Sequence, residues 1–263
     1  MDAATEVMQA LMTHEDAGLV MDFDGVLSPI TDDPSASELL PGTGQILAEL
    51  ATKLSVVALL SGRPVEFLAA HACVPGVELH GSYGLERLGA DGVEVVPEAR
   101  QWMTAVEEAT RALHRYLDDA EGIHVEDKSL AVAVHWRRAP DRDEAERRVT
   151  PLVREMVAAH GLRREPGKFV AELRMPLDQD KGTALRRIID TNELRTVAYA
   201  GDDLGDLPAF ATATAAGGYT LVVDGPGMAQ GVSAVAGAHF DGPADFRAWL
   251  VHLNDALPRR STR

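Results

Sequence analysis

The sequence has one cysteine, Cys73, in 263 residues. That excludes an internal disulfide and suits a reducing compartment such as the cytoplasm. Basic residues are also few: 25 Lys and Arg stand against 41 Asp and Glu, for a formal charge of -16. The chain therefore lacks the cationic footprint that a nucleic-acid backbone or an anionic membrane surface would need. Long apolar runs are missing as well, and Val56–Leu60, among the longest, is far too short to span a bilayer. Residues 1–14 carry Asp2 and Glu6 and no basic segment ahead of an apolar one, so they do not read as a secretory leader. There is no low-complexity tract, no internal repeat and no signature of a particular oligomeric state. What remains is 46% hydrophobic, a folded globular chain long enough for one large α/β domain or for a core with a smaller partner. A phosphorylated small molecule suits so acidic a chain only where cations gather in a pocket.

Gly18-Leu19-Val20-Met21 is a short apolar run ending in Asp22-Phe23-Asp24-Gly25, which reads as a buried strand with acids at its carboxyl end. Ile46, Leu47 and Leu50 follow Pro41 at helical spacing. Residues 55–60 form a second buried strand, which Ser61-Gly62-Arg63-Pro64 breaks. A helix over about residues 65–72 leads to Val77-Glu78-Leu79-His80 and the glycine-bracketed loop Gly81-Ser82-Tyr83-Gly84. The same rhythm returns after Asp180, with a helix through Leu185, Ile188 and Ile189 and a strand over residues 196–200. Then come Gly201-Asp202-Asp203, a late strand at Leu221-Val222-Val223 and an amphipathic helix marked by Phe246, Trp249, Leu250 and Leu253. Strands alternating with helices predict an α/β fold built on a doubly wound, Rossmann-like parallel sheet, with ligands at the carboxyl ends of its strands.

The middle of the chain has another character. Trp102, Val106, Ala109, Leu113 and Leu117 mark a helix, extended stretches cover about residues 123–128 and 130–137, and a second helix lies near residues 144–160. Residues 168–174 alternate, with Phe169, Ala171 and Leu173 on one face and Lys168, Glu172 and Arg174 on the other. This predicts an α+β cap over residues 99–176, inserted into a core of residues 1–98 and 177–263.

Asp22 and Asp24 are two apart at a strand end, so both point to one side while Phe23 turns into the packing, and Gly25 allows a tight turn beside them. A second acidic group, Asp202, Asp203 and Asp206, follows another strand of the same predicted sheet. Unit charges about 4 Å apart repel by roughly 4 kcal/mol at an effective dielectric near 20. Such a cluster calls for a cation, and ligation by oxygen alone points to Mg2+. Read singly, Asp-Gly and Gly-Asp are ordinary turn dipeptides, Ser61-Gly62-Arg63 is a turn, and Lys181 is a surface lysine. Read as phosphate chemistry, the Ser61 hydroxyl and loop amides hold phosphate oxygens and Lys181 supplies a positive charge.

Taken in order, Asp22-Phe23-Asp24-Gly25-Val26-Leu27, Ser61, Lys181 and Gly201-Asp202-Asp203 resemble the four motifs of the haloacid dehalogenase-like superfamily. Within it, the chain is similar to the trehalose-6-phosphate phosphatase family over about residues 19–253. Ser61-Gly62-Arg63, the segment from Gly81 to Glu86, Glu126-Asp127-Lys128 with residues 130–137, Gly167-Lys168 with Glu172-Leu173-Arg174, and residues 201–210 carry that closer likeness. The resemblance implies Asp22 as nucleophile and Asp24 as acid, then base. It implies Mg2+ held by Asp22, the main-chain carbonyl of Asp24 and Asp202, with Asp203 and Asp206 supporting them. Ser61 and Lys181 would bind the transferring group, and Arg63, Glu126, Lys128, Arg137, Lys168 and Glu172 would bind the sugar phosphate. His135, Trp136 and Arg174 read as packing or supporting residues. Val26, Tyr83 and Gly205 stand where the family usually has threonine, histidine and threonine, and these departures bear on which sugar is taken. The expectation is a Mg2+-dependent phosphatase for trehalose 6-phosphate acting through an aspartyl-phosphate. A phosphatase for a trehalose-like pseudodisaccharide phosphate is the near alternative, a silent sugar-phosphate-binding regulator the distant one, and a phosphomutase would share the intermediate.

Overall fold

The computed structural model describes residues 2–31, 34–225 and 228–258; Met1, the first residue of the stretch read for a leader, lies outside them. The chain divides into two compact units, Met1–Glu94 with Gln179–Arg263, and Val95–Asp178.

In chain order the first unit begins with α1 (Ala3–Thr13), β1 (Ala17–Met21), α2 (Thr43–Ala51), β2 (Val56–Leu60), α3 (Val65–Ala72), β3 (Glu78–Gly81), β4 (Glu86–Gly89) and β5 (Gly92–Val95). The inserted unit contributes α4 (Pro97–Arg100), α5 (Met103–Leu117), β6 (His124–Asp127), β7 (Ala131–His135), α6 (Arg142–His160), β8 (Arg163–Gly167) and β9 (Val170–Arg174). The first unit resumes with α7 (Lys181–Thr191), β10 (Thr196–Gly201), α8 (Leu207–Ala215), β11 (Tyr219–Val223), α9 (Gln230–Ser233), β12 (Ala238–Phe240) and α10 (Gly242–Ala256).

The large sheet runs β12-β11-β10-β1-β2-β3-β4-β5. From β12 to β3 every pairing is parallel, and β4 returns antiparallel to β3. Because β1, β2 and β10 are buried on both faces, they are apolar but for Thr196 and the Tyr199 hydroxyl of β10. Alternate side chains feed two cores. Leu19, Met21, Val57, Leu59 and Leu221 pack with Leu11, Leu47, Phe246 and Leu250 from α1, α2 and α10. Val20, Ala58, Leu60, Tyr199 and Val222 pack with Leu185, Ile188 and Phe210 from α7 and α8. This is the doubly wound α/β core that the strand–helix rhythm predicts. The antiparallel edge of β4 and β5 departs from it, since their Glu-Arg-Leu-Gly and Gly-Val-Glu-Val sequences lack an apolar run.

The inserted unit is an α+β sheet in the order β6-β7-β9-β8, antiparallel throughout. One face, with Val125, Val132, Val134, Ala171 and Leu173, is buried, and α5 buries its own apolar stripe of Val106, Ala109, Leu113 and Leu117. Here the structure corrects the single alternating strand expected over residues 168–174. Lys168 and Phe169 form the turn of a hairpin between β8 and β9, with Phe169 at φ 62°, so Lys168 does not share a strand face with Glu172. The turn carries no Gly-Asn or Asn-Gly signal, and β8, with its charges and proline, shows no clean alternation. Among the described residues, no helix is long and apolar enough to cross a membrane.

Candidate active site

Asp22 follows β1 directly, and its amide continues the ladder by donating to the Ala200 carbonyl at 2.9 Å. The side chain is buried. Asp22 Oδ1 accepts from the Phe23 amide at 2.7 Å, and Oδ2 accepts from Lys181 Nζ at 2.6 Å. Lys181 is the first residue of α7, a helix that Asp180 caps by accepting from the Thr183 amide at 2.8 Å. Gly182 admits this helix because a side chain there would press into Pro208. Lys181 is itself buried and also donates to Asp206 Oδ1 at 2.7 Å.

Asp206 organises the second acidic group. Its Oδ1 also accepts from the Tyr199 hydroxyl at 2.6 Å, and its Oδ2 accepts from the Asp202 and Asp203 amides at 3.0 and 3.1 Å. Both oxygens are thus engaged twice, which makes this fully buried carboxylate the anchor of the loop after β10. Asp203 turns away to accept from the Gly205 amide at 2.8 Å and cap the next turn. Asp202 is left half-buried beside Gly25, which has φ of 76° and whose Cβ, were one present, would overlap the Asp202 carboxylate.

Carboxylate oxygens of Asp22, Asp202 and Asp206 all lie within 4.8 Å of one another. At that separation each pair of charges repels by about 3.5 kcal/mol at an effective dielectric near 20. Burial pushes Asp22 up to about 7; Lys181 opposes the shift and Asp206 adds to it. Asp202 is pushed up to about 8 by burial, then by Asp22, Asp206 and Asp203. Burial works against charge on Lys181, yet Asp22 and Asp206 hold it above the usual lysine range. For Asp206 burial also acts upward, but Lys181, Tyr199 and the loop amides outweigh it and hold the carboxyl below the usual range. Burial and the neighbouring Asp206 keep the Tyr199 phenol protonated. An all-oxygen donor set, two carboxylates held above their ordinary range and the close approach of Asp202 that Gly25 permits fit a hard divalent cation.

Asp24 is turned to a different partner. Arg63 Nε and Nη2 donate to its two oxygens at 2.8 and 3.1 Å, and the guanidinium stacks 4.6 Å from the centre of the Phe67 ring. Ser61, buried at the end of β2, accepts through Oγ from the Arg63 amide at 3.2 Å and donates its own amide to the His80 carbonyl. The structure thus brings Asp22, Lys181, Asp202 and Asp206 together, and ties Asp24 and Ser61 to Arg63. Val26 is buried in the core.

In the inserted unit, Lys128 Nζ donates to Glu172 Oε2 at 2.7 Å and lies 3.9 Å from Glu126, which bonds His135 Nε2 at 2.8 Å. Arg174 Nε is 3.7 Å from Glu172. Glu126, Lys128 and Glu172 therefore form one polar row, and His135 and Arg174, read from sequence as packing or supporting residues, extend it. Cross-strand register puts Glu126, Ala133 and Glu172 in one line, a relation that spacing along the chain does not reveal. Arg137 and Lys168 belong to a separate group at the hairpin turn, where Arg137 Nη2 donates to the Lys168 carbonyl at 3.3 Å and Arg142 stacks on Phe169. Tyr199 was missed as a site residue, since inside a buried strand it reads as core.

The fold is one shared with haloacid dehalogenase-like hydrolases. A haloacid dehalogenase-like hydrolase from Bacteroides thetaiotaomicron superposes with a TM-score of 0.60 at 14% identity, covering 90% of this chain and 99% of that one. The C-terminal domain of trehalose-6-phosphate phosphatase from C. albicans superposes with a TM-score of 0.72 at 22% identity, covering 96% of each chain. At these identities the likeness is one of fold. The sequence comparisons are narrower: the family model for trehalose-phosphatase matches residues 20–234. Trehalose-phosphate phosphatase from Mycobacterium marinum is 35% identical over 221 residues, which is 80% of this chain and 56% of that protein. The chain belongs to the trehalose-phosphatase family, and it spans about half the length of the curated relatives it matches.

Proposed function

We propose that this chain is a Mg2+-dependent phosphatase that hydrolyses trehalose 6-phosphate to trehalose and phosphate. The observation that carries the reading is the buried contact of Lys181 with both Asp22 and Asp206, within reach of Asp202. That arrangement gives a nucleophilic carboxylate, a fixed positive charge and a cation-binding set at the ends of neighbouring strands. Family membership directs it to a sugar phosphate.

In this reading Asp22 attacks phosphorus, forming an O–P bond as the bond to the sugar oxygen breaks, and Asp24 gives that oxygen its proton. Asp24 then takes a proton from water, which attacks the aspartyl-phosphate, releases phosphate and restores Asp22. Ser61 and Lys181 hold the phosphoryl oxygens. Asp22, the Asp24 main-chain carbonyl and Asp202 hold Mg2+, which when bound supplies charge neutralisation to the phosphoryl group. Asp206 and Asp203 fix the loop that carries Asp202. Arg63, Glu126, Lys128, Arg137, Lys168 and Glu172 bind the sugar phosphate, since sugar hydroxyls both donate and accept and suit a mixed set of charges. Of these binding residues, Arg63 belongs to the core unit and the other five to the inserted unit. The single cysteine supports a place in the cytoplasm.

A panel of sugar phosphates with released phosphate measured tests the assignment. Preference for trehalose 6-phosphate over glucose 6-phosphate supports it. Equal turnover of the two rejects a disaccharide enzyme, binding without turnover in Mg2+ points to the regulator, and transfer without net phosphate release points to a mutase.

A further inference from the structure

The turn between β3 and β4 is tightly constrained. Ser82, Tyr83 and Gly84 have φ of 50°, 57° and 82° in succession, a left-handed run that an aromatic residue rarely enters. Such a conformation persists where its surroundings impose it, and it gathers where function uses it. Here the surroundings do impose it. The Ser82 amide donates to the Arg63 carbonyl at 2.7 Å and the Tyr83 amide to the Ser61 carbonyl at 2.9 Å. Gln179 Nε2 donates to the Tyr83 carbonyl at 2.9 Å, and Arg187 Nη1 to the Gly84 carbonyl at 3.0 Å. Glu86, a buried carboxylate, accepts from Ser82 Oγ at 3.0 Å and from the Val65 amide, at the start of α3, at 2.8 Å.

What this bracing achieves is the placing of one ring. Tyr83 lies against Gly62 so closely that a Cβ on Gly62 would stand 2.9 Å from Tyr83 Cζ and 3.0 Å from its hydroxyl oxygen. Gly62 is the middle residue of the loop between Ser61 and Arg63, and Tyr83 is half-buried, outside the closed core. A tyrosine forced into a left-handed turn has thus been laid, hydroxyl end first, on the loop to which the phosphoryl group is assigned.

We infer that Tyr83 touches the substrate and sets leaving-group specificity, its phenol hydroxyl meeting a sugar hydroxyl next to the ester bond. The inference rests on the phosphatase reading above. Phosphoryl oxygens carry charge, and Ser61 and Lys181 answer it. A phenol is neutral and both donates and accepts, as a sugar hydroxyl does. A site built to hydrogen-bond a substrate hydroxyl discriminates against a leaving group that lacks one.

Tyr83→Phe removes the hydroxyl and keeps the ring. The test is kcat and KM of wild type and Y83F, with Mg2+ present, on trehalose 6-phosphate, glucose 6-phosphate and 4-nitrophenyl phosphate. The expected result is a KM about 5- to 10-fold higher for trehalose 6-phosphate, with the aryl ester changed by less than about twofold. Equal losses on sugar and aryl esters would move the hydroxyl to the phosphoryl side, and no change on either would leave the ring as packing; each overturns the inference. Wild type that turns over both sugar phosphates equally refutes the disaccharide reading while the comparison of sugar with aryl ester still decides on Tyr83. Wild type that releases no phosphate refutes the phosphatase reading. Calorimetric binding of trehalose 6-phosphate against inorganic phosphate then decides: weaker binding by Y83F of the sugar ester alone upholds the contact, and any other result overturns it.

Discussion

Lys181 at the start of α7 donates to Asp22 at the end of β1 across 2.6 Å, joining residues 159 positions apart in a buried ion pair. The same ammonium group holds Asp206 at 2.7 Å. Removing one partner of a buried pair leaves an uncompensated charge, at a cost of about 3–5 kcal/mol. Lys181→Met, which keeps the stem and removes the charge, is expected to lower unfolding stability by that amount in a denaturant titration. A loss below about 1 kcal/mol would mean that Asp22 and Asp206 do not depend on Lys181.

Asp22 and Asp202, held up to about 7 and about 8 against an ordinary 3.8, bind protons in the folded chain that the unfolded chain has already released. Their contribution to stability is fully present below about pH 4 and is lost as pH rises through 7 to 8. In a chelator the melting temperature of wild type should therefore fall over that window more steeply than that of Asp202→Asn. Added Mg2+ should cancel most of the fall by replacing the protons. Equal slopes for wild type and D202N would separate Asp202 from the cluster.

Gly25 serves the cation set through what it lacks. At φ 76° its backbone is left-handed, and a Cβ would meet the Asp202 carboxylate. Gly25→Ala should cost roughly 1–2 kcal/mol from the backbone alone. It should also shrink the rise in melting temperature on adding Mg2+, because Asp202 has to move. An undiminished response to Mg2+ would show that the close approach does not matter for binding.

How far the sequence was legible depends on the element. β1, β2 and β10 are short, mostly apolar and lead into acid, serine or glycine, so they announce themselves. α1, α8 and the strands β4, β5, β8 and β12 do not. Three of those strands lie at sheet edges, where burial asks least of the sequence, and β8 is mostly charged. Phe169 shows the other failure, because an alternating pattern continued across a turn that only its φ reveals. In the site, acids at strand ends were readable as a group from the parallel-sheet rule. The Arg63–Asp24 pair, the Tyr199 hydroxyl and the row joining Glu126 with Glu172 were not, since each depends on how loops fold back or strands pair, which local pattern does not show.

The inserted unit has its own test. Glu172 is held by Lys128 at 2.7 Å, with Arg174 beside it. Glu172→Ala is expected to raise KM for trehalose 6-phosphate by about 10-fold, as losing a hydrogen bond to a charged group would, and to leave 4-nitrophenyl phosphate nearly unaffected. A parallel rise for both substrates would place Glu172 outside sugar binding.

The central claim is that Asp22 takes the phosphoryl group beside a bound divalent cation. Phosphate released from trehalose 6-phosphate by wild type and by Asp22→Asn, each with chelator and then with excess Mg2+, tests it directly. Wild type should turn over only with Mg2+, and D22N should lose about 10³-fold or more in either condition while keeping the far-UV circular dichroism of wild type. Turnover by a folded D22N, or by wild type indifferent to chelation, would contradict the account.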